Sequence, residues 1–408
     1  MIKLTVNGGG GRGQEHVSRE TLDKFKACIK YNTALNSPKS TKEDKMKTLA
    51  TTLAVSVALV AVALAATLTP AHAQTNFQNE TIEWIIPFSE GGGSDKWARF
   101  YAPLLAAELP GNPTVVVRNI PGAGSTKGAN HFAQRVKPDG LTILGTSGST
   151  QFPYLLDDPR VEYEYRDWNV VLASATGGIA YLPKDLGDKW NQDKTSILGE
   201  NFIYGSQGAT RLDLVPLLAW ELLGLKVDPV FGIKGRGDGR LMFERGEANI
   251  DYQTSSAYLA NVTPLVEAGQ AVPMMTWGSL DNAGNIVRDP TFPDIPTFKE
   301  VYAEVHGREP SGAAWEAWKA FFIAGFPAQK MVFLPEGASA ELVKTYSDAF
   351  AAAIARPEFP EASRKRLGIY PQATGQKAET FKKLGTEVNP AATAWIKNWL
   401  MERYNVEL

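Results

Sequence analysis

Two rhythms of apolar and polar positions change places along the chain from Thr81 onward. Short apolar runs read as strands: "TIEWIIPF" (Thr81 to Phe88), "TVVVRN" (Thr114 to Asn119), "LTILGTS" (Leu141 to Ser147) and "NVVLASA" (Asn169 to Ala175). Between the first two, "SDKWARFYAPLLAAEL" sets Trp97, Tyr101, Leu104, Leu105 and Glu108 at helical spacing behind Ser94 as N-cap. Pro103 is expected to kink that helix or end it early. "TKGANHFAQRV" reads as a second helix. After the polar stretch "PKDLGDKWNQDK" (Pro183 to Lys194) a second series begins: strand "NFIYGS", helix "LDLVPLLAWELLGL" closed by Gly224, strand "DPVFGI", helix "GRLMFERG" and strand "ANIDYQT" (Ala248 to Thr254). "AVPMMTWG" then runs into the proline-rich "RDPTFPDIPTF", and the remainder is mostly helical. In "SAELVKTYSDAFAAAIARPEF" the helix opens with Ser339 and Glu341 and carries Leu342, Val343, Tyr346, Phe350 and Ile354 on one stripe.

Strands alternating with helices predict α/β units with parallel sheets and right-handed crossovers. Two such units leave a cleft, and in open α/β sheets ligands sit beyond the carboxyl ends of the strands. Four loops occupy that position: "FSEGGGSD", "TSGST", "GSQGATRLD" and "YQTSS". All are rich in Gly, Ser and Thr and poor in cations, which suits binding through backbone N–H groups and hydroxyls. Three adjacent glycines, costly to order, stand where a strand turns into a helix. Free amides there, backed by the positive end of the helix, suit an anion that must come close to the backbone.

The N-terminal part changes what the folded product contains. "LATTLAVSVALVAVALAATL" (Leu49 to Leu68) has Lys42, Lys45 and Lys47 before it and Ala71-His72-Ala73 after it, the pattern of a secretory signal peptide. Twenty apolar residues would also span a bilayer, but Pro70 and the small-x-small ending favour cleavage near Ala73. Residues 46–73 are therefore read as the signal, 1–45 as a non-structural extension, and the product as exported. Taking the leader's ten basic and five acidic residues from 42 and 44 leaves 32 against 39, a formal charge of −7. That balance points away from nucleic acid and anionic membrane surfaces. The sole cysteine, Cys28, lies in the leader, so the core alone must stabilise the product.

Catalytic signatures are weak. His131 and His306 are the only histidines beyond the leader, neither accompanied by a G-x-S-x-G elbow, and no His or Cys grouping offers a metal site. In "GAGSTKG" (Gly122 to Gly128) Lys127 precedes Gly128, the reverse of a phosphate loop. No cofactor is implied, and the reading is not an enzyme. Asp95, inside the glycine loop, either favours the helix dipole, fixes the loop or meets a ligand amine.

The stretch "PFSEGGGSDKWAR" resembles the P-F-x-x-G-G-x-x-D-x-x-A-R opening of the solute-binding receptors of tripartite tricarboxylate transporters, the Bug family. "VVVRNIPGAGSTKGANHFAQRVKPDGLTILGTS", "YGSQGATRLDL", "RGEANIDY" and "FPDIPTFKE" resemble later landmarks of that family in the same order. The resemblance implies an α/β two-lobe periplasmic clamshell with a mainly parallel sheet in each lobe. Residues 74–182 plus 305–408 would form one lobe and 183–304 the other. It further implies a monomer that captures a small carboxylate and delivers it to the large and small membrane subunits of a permease. Carried over, Phe88, Ser89, Gly91, Gly92, Asp95, Ser147 and Gly148 line the first lobe. Ser206, Gly208, Ala209 and Thr210 line the second, with Tyr252 and Thr254 nearby. The chain departs from the pattern at Glu90, where the family has Pro, and at Arg211 and Asp213, where it has His-Leu. Arg236 and Arg240 stand in "PVFGIKGRGDGR", facing either the ligand or solvent. The rival readings are an exported hydrolase with a carboxylate pair and a receptor feeding a signalling sensor.

Overall fold

Thr81–Ile86 (β1) pairs in parallel with Thr114–Asn119 (β2) on one side and Thr142–Gly145 (β3) on the other. In this computed structural model, which describes Glu43 and residues 75–408, these strands belong to a mixed α/β fold of two lobes. The expected extension and signal peptide fall outside the described residues, apart from Glu43.

The remaining strands are Asn169–Ser174 (β4), Gly178–Pro183 (β5), Asn201–Ser206 (β6), Lys226–Phe231 (β7), Asp251–Thr254 (β8), Ala271–Thr276 (β9), the hairpin Ser279–Leu280 (β10) and Ile286–Val287 (β11), Lys330–Leu334 (β12) and Gln372–Ala373 (β13). The central sheet has the order β13-β4-β12-β3-β1-β2. Because β12 runs antiparallel to both β3 and β4, and β13 antiparallel to β4, the strands β1, β2, β3 and β4 all point one way. The sheet is thus mainly parallel. Its core is aromatic: Trp84 meets Trp97 edge-on at 5.4 Å and Phe350 at 5.9 Å, with Tyr101 also against Phe350, geometries that add to area burial.

In the second lobe β5 lies between β8 and β9, antiparallel to both, while β6 and β7 form a parallel pair, so the mainly parallel arrangement expected in each lobe holds for the central sheet and not here. Asn249 joins the two: its N–H donates to Ile203 O (3.1 Å) and its Oδ1 accepts from Ile203 N–H (2.7 Å). The helix Leu214–Leu223 covers this layer, ending on left-handed Gly224 as its sequence requires. Helices Ala313–Gly325 and Pro390–Tyr404 pack into the same core, where Trp318 Nε1 donates to Val215 O (3.1 Å). Two chain segments link the sheets, 175–177 between β4 and β5 and 326–329 ahead of β12, and Thr176 N–H donates to Phe326 O (3.1 Å).

The strands β5 and β12 and the helix Gly148–Leu155 are absent from the sequence reading, and two further elements differ from it. The helix Gly93–Glu108 continues past Pro103 and does not end early there. Pro103 and Arg99, whose carbonyl loses its donor, both face solvent, so water replaces the missing bond. The polar stretch after Pro183 folds as the helix Lys184–Gln192, anchored by buried Leu186 and Trp190 one turn apart.

Candidate functional site

The loop after β1 meets the second lobe directly. Ser89 N–H donates to Lys234 O (3.2 Å) and Ser89 Oγ to Asp238 Oδ2 (3.2 Å), while Ser256 Oγ donates to Gly93 O (3.0 Å). The three glycines have separate roles. Gly91 has φ +79°, the left-handed region. A Cβ on Gly92 would touch Gly237 N at 3.5 Å, an ordinary contact. A Cβ on Gly93 would lie 1.9 Å from Thr254 Oγ1, an overlap. At Gly93 it is the close approach of Thr254 that requires glycine.

Asp95 fixes the loop. Its Oδ2 accepts from Gly91 N–H (3.0 Å), and its Oδ1 accepts from Arg99 Nε (2.9 Å) and Asn119 Nδ2 (3.2 Å). Asn119 also donates to the carbonyl of buried Phe88 (2.9 Å). One loop amide expected to be free is therefore engaged within the loop. The free ones lie a step further on. Lys96 is the first residue of the helix whose N–H finds a carbonyl, Gly92 O at 3.0 Å. Among the described residues the N–H groups of Gly93, Ser94 and Asp95 have no partner. Asp95→Ala is expected to destabilise the protein by about 1–3 kcal/mol by stranding the Gly91 donor, read from the midpoint of urea unfolding.

A second contact zone joins the loop after β6 to first-lobe loops. Ser147 caps the helix Gly148–Leu155, its Oγ accepting from Ser149 N–H (3.2 Å). Gly148 leaves room for Leu212, whose Cδ1 would be 2.6 Å from an added Cβ. Ser149 Oγ accepts from Leu212 N–H (3.1 Å) and donates to Gln207 Oε1 (3.4 Å). Thr210 Oγ1 donates to Asp158 Oδ2 (3.0 Å), and the preceding residue, Ala209, is buried. Gly208 turns at φ +144° and its N–H donates to Ser206 Oγ (3.2 Å), which itself donates to Asp213 Oδ2 (3.0 Å). Tyr252 OH donates to Asp213 Oδ1 (3.1 Å), which makes Tyr252 a buried framework residue, while Thr254 abuts the glycine loop. Gln207 Nε2 and Thr150 Oγ1 are buried on this seam without hydrogen-bond partners.

The arginines are committed inside the protein. Arg236 donates from Nη1 to Gly205 O (2.6 Å), pairs with Asp251, lies 3.7 Å from the Asp213 carboxylate, and is sandwiched 4.8 Å from the ring centroids of Tyr204 and Tyr252. Arg211 bonds Asp158 (3.3 Å) and Ala123 O (2.9 Å), and Arg240 pairs with Glu244. Neither Arg211 nor Arg236 has charge to spare. Lys330, which the sequence reading passed over, does. It opens β12 at 3% exposure, and its Nζ donates to Ser94 Oγ (3.2 Å), with no carboxylate among the described residues in ion-pair range. Burial pushes its pKa down to about 7. The available signal was one charged residue starting the otherwise apolar run "KMVFL".

No family model matches the chain. A UPF0065 protein from Cupriavidus necator is 27% identical over 321 residues, covering 76% of this chain and 85% of that protein. Three solved structures share the fold. The periplasmic binding protein BugD superimposes with a TM-score of 0.57 at 22% identity, over 80% of this chain and 98% of its own. MatC from Rhodopseudomonas palustris, with bound malate, gives 0.58 at 18% identity, over 77% and 99%. A second R. palustris protein, with adipate, gives 0.61 at 18% identity, over 79% and 96%.

Proposed function

We propose, on the premise that the chain has the fold of the Bug-type tripartite tricarboxylate solute-binding proteins, that it is a periplasmic receptor for a small carboxylate. The sequence-derived bounds shift to the linking segments: residues 75–174 with 330–389 act as one lobe and 178–325 as the other, with the helix Pro390–Tyr404 packed on the second core, hinged on the paired segments 175–177 and 326–329. The lobes close on the ligand, and a permease of large and small membrane subunits reads the closed shape. The observation that carries this reading is the seam between the lobes. Loops at the carboxyl ends of β1, β3, β6 and β8 meet there, and buried donors from both sides, the Gln207 amide and the first amides of Gly93–Glu108, lack partners. Such donors are costly to bury unless an acceptor arrives. Malate and adipate in the two R. palustris structures are acceptors of that kind.

The reading is a non-enzyme one, because the relatives in fold are binding proteins. Contact with both lobes only on closure gives the differential affinity through which a ligand shifts such an equilibrium. In a thermal-shift screen of the protein against malate, adipate, tricarboxylates and aromatic acids, a true ligand is expected to raise Tm with concentration. At a hundredfold excess over Kd the stabilisation is about 2.7 kcal/mol. No response to any carboxylate, or turnover of one, would refute the proposal.

A further inference from the structure

Three cations are buried among the described residues: Arg211, Arg236 and Lys330. The first two face carboxylates at Asp158, Asp213 and Asp251. Lys330 faces none, and its one hydrogen bond goes to Ser94 Oγ. Ser94 sits in the first turn of a 16-residue helix whose leading amides are unpaired. A buried ammonium and the positive end of a helix thus converge on one hydroxyl, and each alone would be unfavourable without an anion. Lys330 also directly follows the linking segment 326–329, and its partner Ser94 adjoins Gly93, whose carbonyl accepts from Ser256 Oγ across the seam.

We propose that the Lys330 ammonium, together with Ser94 Oγ and the leading amides of the Gly93–Glu108 helix, anchors one carboxylate group of the ligand. This rests on the binding-protein reading above and names the group that neutralises the ligand's charge. β12 lies between β4, where Ser174 is in register with Lys330, and β3, whose residues Thr142–Gly145 carry no charge, while the first helical turn meets Lys330 through Ser94. The charged residue on that turn, Asp95, spends its oxygens on Gly91, Arg99 and Asn119. The depressed Lys330 pKa has burial as its cause, and an arriving carboxylate reverses it by favouring the charged form. Binding therefore takes up a proton when the free protein is above about pH 7, and affinity weakens as pH rises.

Malate and adipate serve as probes in titration calorimetry on the purified full chain, at about pH 6 and about pH 9, either side of the shifted ammonium. For whichever is bound, wild-type affinity is expected to fall at least tenfold between the two. Lys330→Met is expected to bind at least tenfold more weakly at the lower pH and to lose the pH dependence. Its circular dichroism and ligand-free Tm, unchanged or higher because a buried charge is gone, check that it folds. Lys330→Gln repeats the test with a polar side chain. Wild-type binding that is equal at both pH values and unaltered in both variants overturns the anchor and leaves the receptor reading standing. Absence of wild-type binding to any carboxylate overturns both.

Discussion

Arg236→Met is expected to cost about 3–5 kcal/mol of folding stability, the penalty for breaking a buried ion pair from one side. The substitution leaves Asp251 and Asp213, both fully buried, without their cation, and takes the guanidinium from between Tyr204 and Tyr252. Met fills the volume, so the loss is electrostatic rather than a cavity. Asp251 gives the effect a pH signature. Burial raises its pKa even in the intact protein, with Arg236 opposing that rise. Without Arg236 the carboxyl binds its proton more tightly folded than unfolded. Stability then falls as pH rises through the window between the unfolded and folded pKa values. The deficit of the variant relative to wild type should shrink at acid pH and grow toward neutrality in urea titrations. A deficit below about 1 kcal/mol, the range of an exposed pair, would show that the network is not the keystone of the second lobe. Replacing Asp251 by Asn in the same chain should recover part of the loss, because one of the stranded charges is gone.

The network also shows where sequence reading reaches its limit. Strand and helix order was legible because burial imposes periodicity: β2 was read to the residue, and Ser339 caps the Ala340–Ala355 helix, whose Leu342, Tyr346 and Phe350 are buried. The Lys184–Gln192 helix was not, because only Leu186 and Trp190 mark its apolar face among charged residues. For the site, the loops were found from their composition, yet their partners were not. Ser89 meets Lys234 and Asp238, and Ser94 meets Lys330, across 149 and 236 residues of sequence for the side-chain bonds. Contacts so distant leave no local pattern. Arg236 illustrates the same point, since whether a lone arginine faces ligand or carboxylates depends on residues the spacing does not reveal.

Gly93→Ala separates closure from folding because the two respond with opposite sign. Gly93 opens the Gly93–Glu108 helix, and Ala in place of Gly within a helix is favourable by up to about 1 kcal/mol. A lobe considered alone is therefore unharmed or slightly stabilised. In the contact with the second lobe the new methyl lies 1.9 Å from Thr254 Oγ1 and 3.2 Å from Ser256 Oγ, and overpacking of that kind costs about 1–3 kcal/mol. On the closure proposed above, in which the contact forms only as the lobes close, the cost appears as lost affinity, about 5- to 150-fold, with the ligand-free Tm nearly unchanged. Thr254→Ala removes the clashing oxygen, so the double variant should regain most of the binding, a coupling that a double-mutant cycle measures. Gly92→Ala provides the contrast: its methyl would meet Gly237 N at 3.5 Å, and affinity should change less than for Gly93→Ala. Equal affinities for wild type and Gly93→Ala would mean that the lobes do not draw together along this seam when the carboxylate binds.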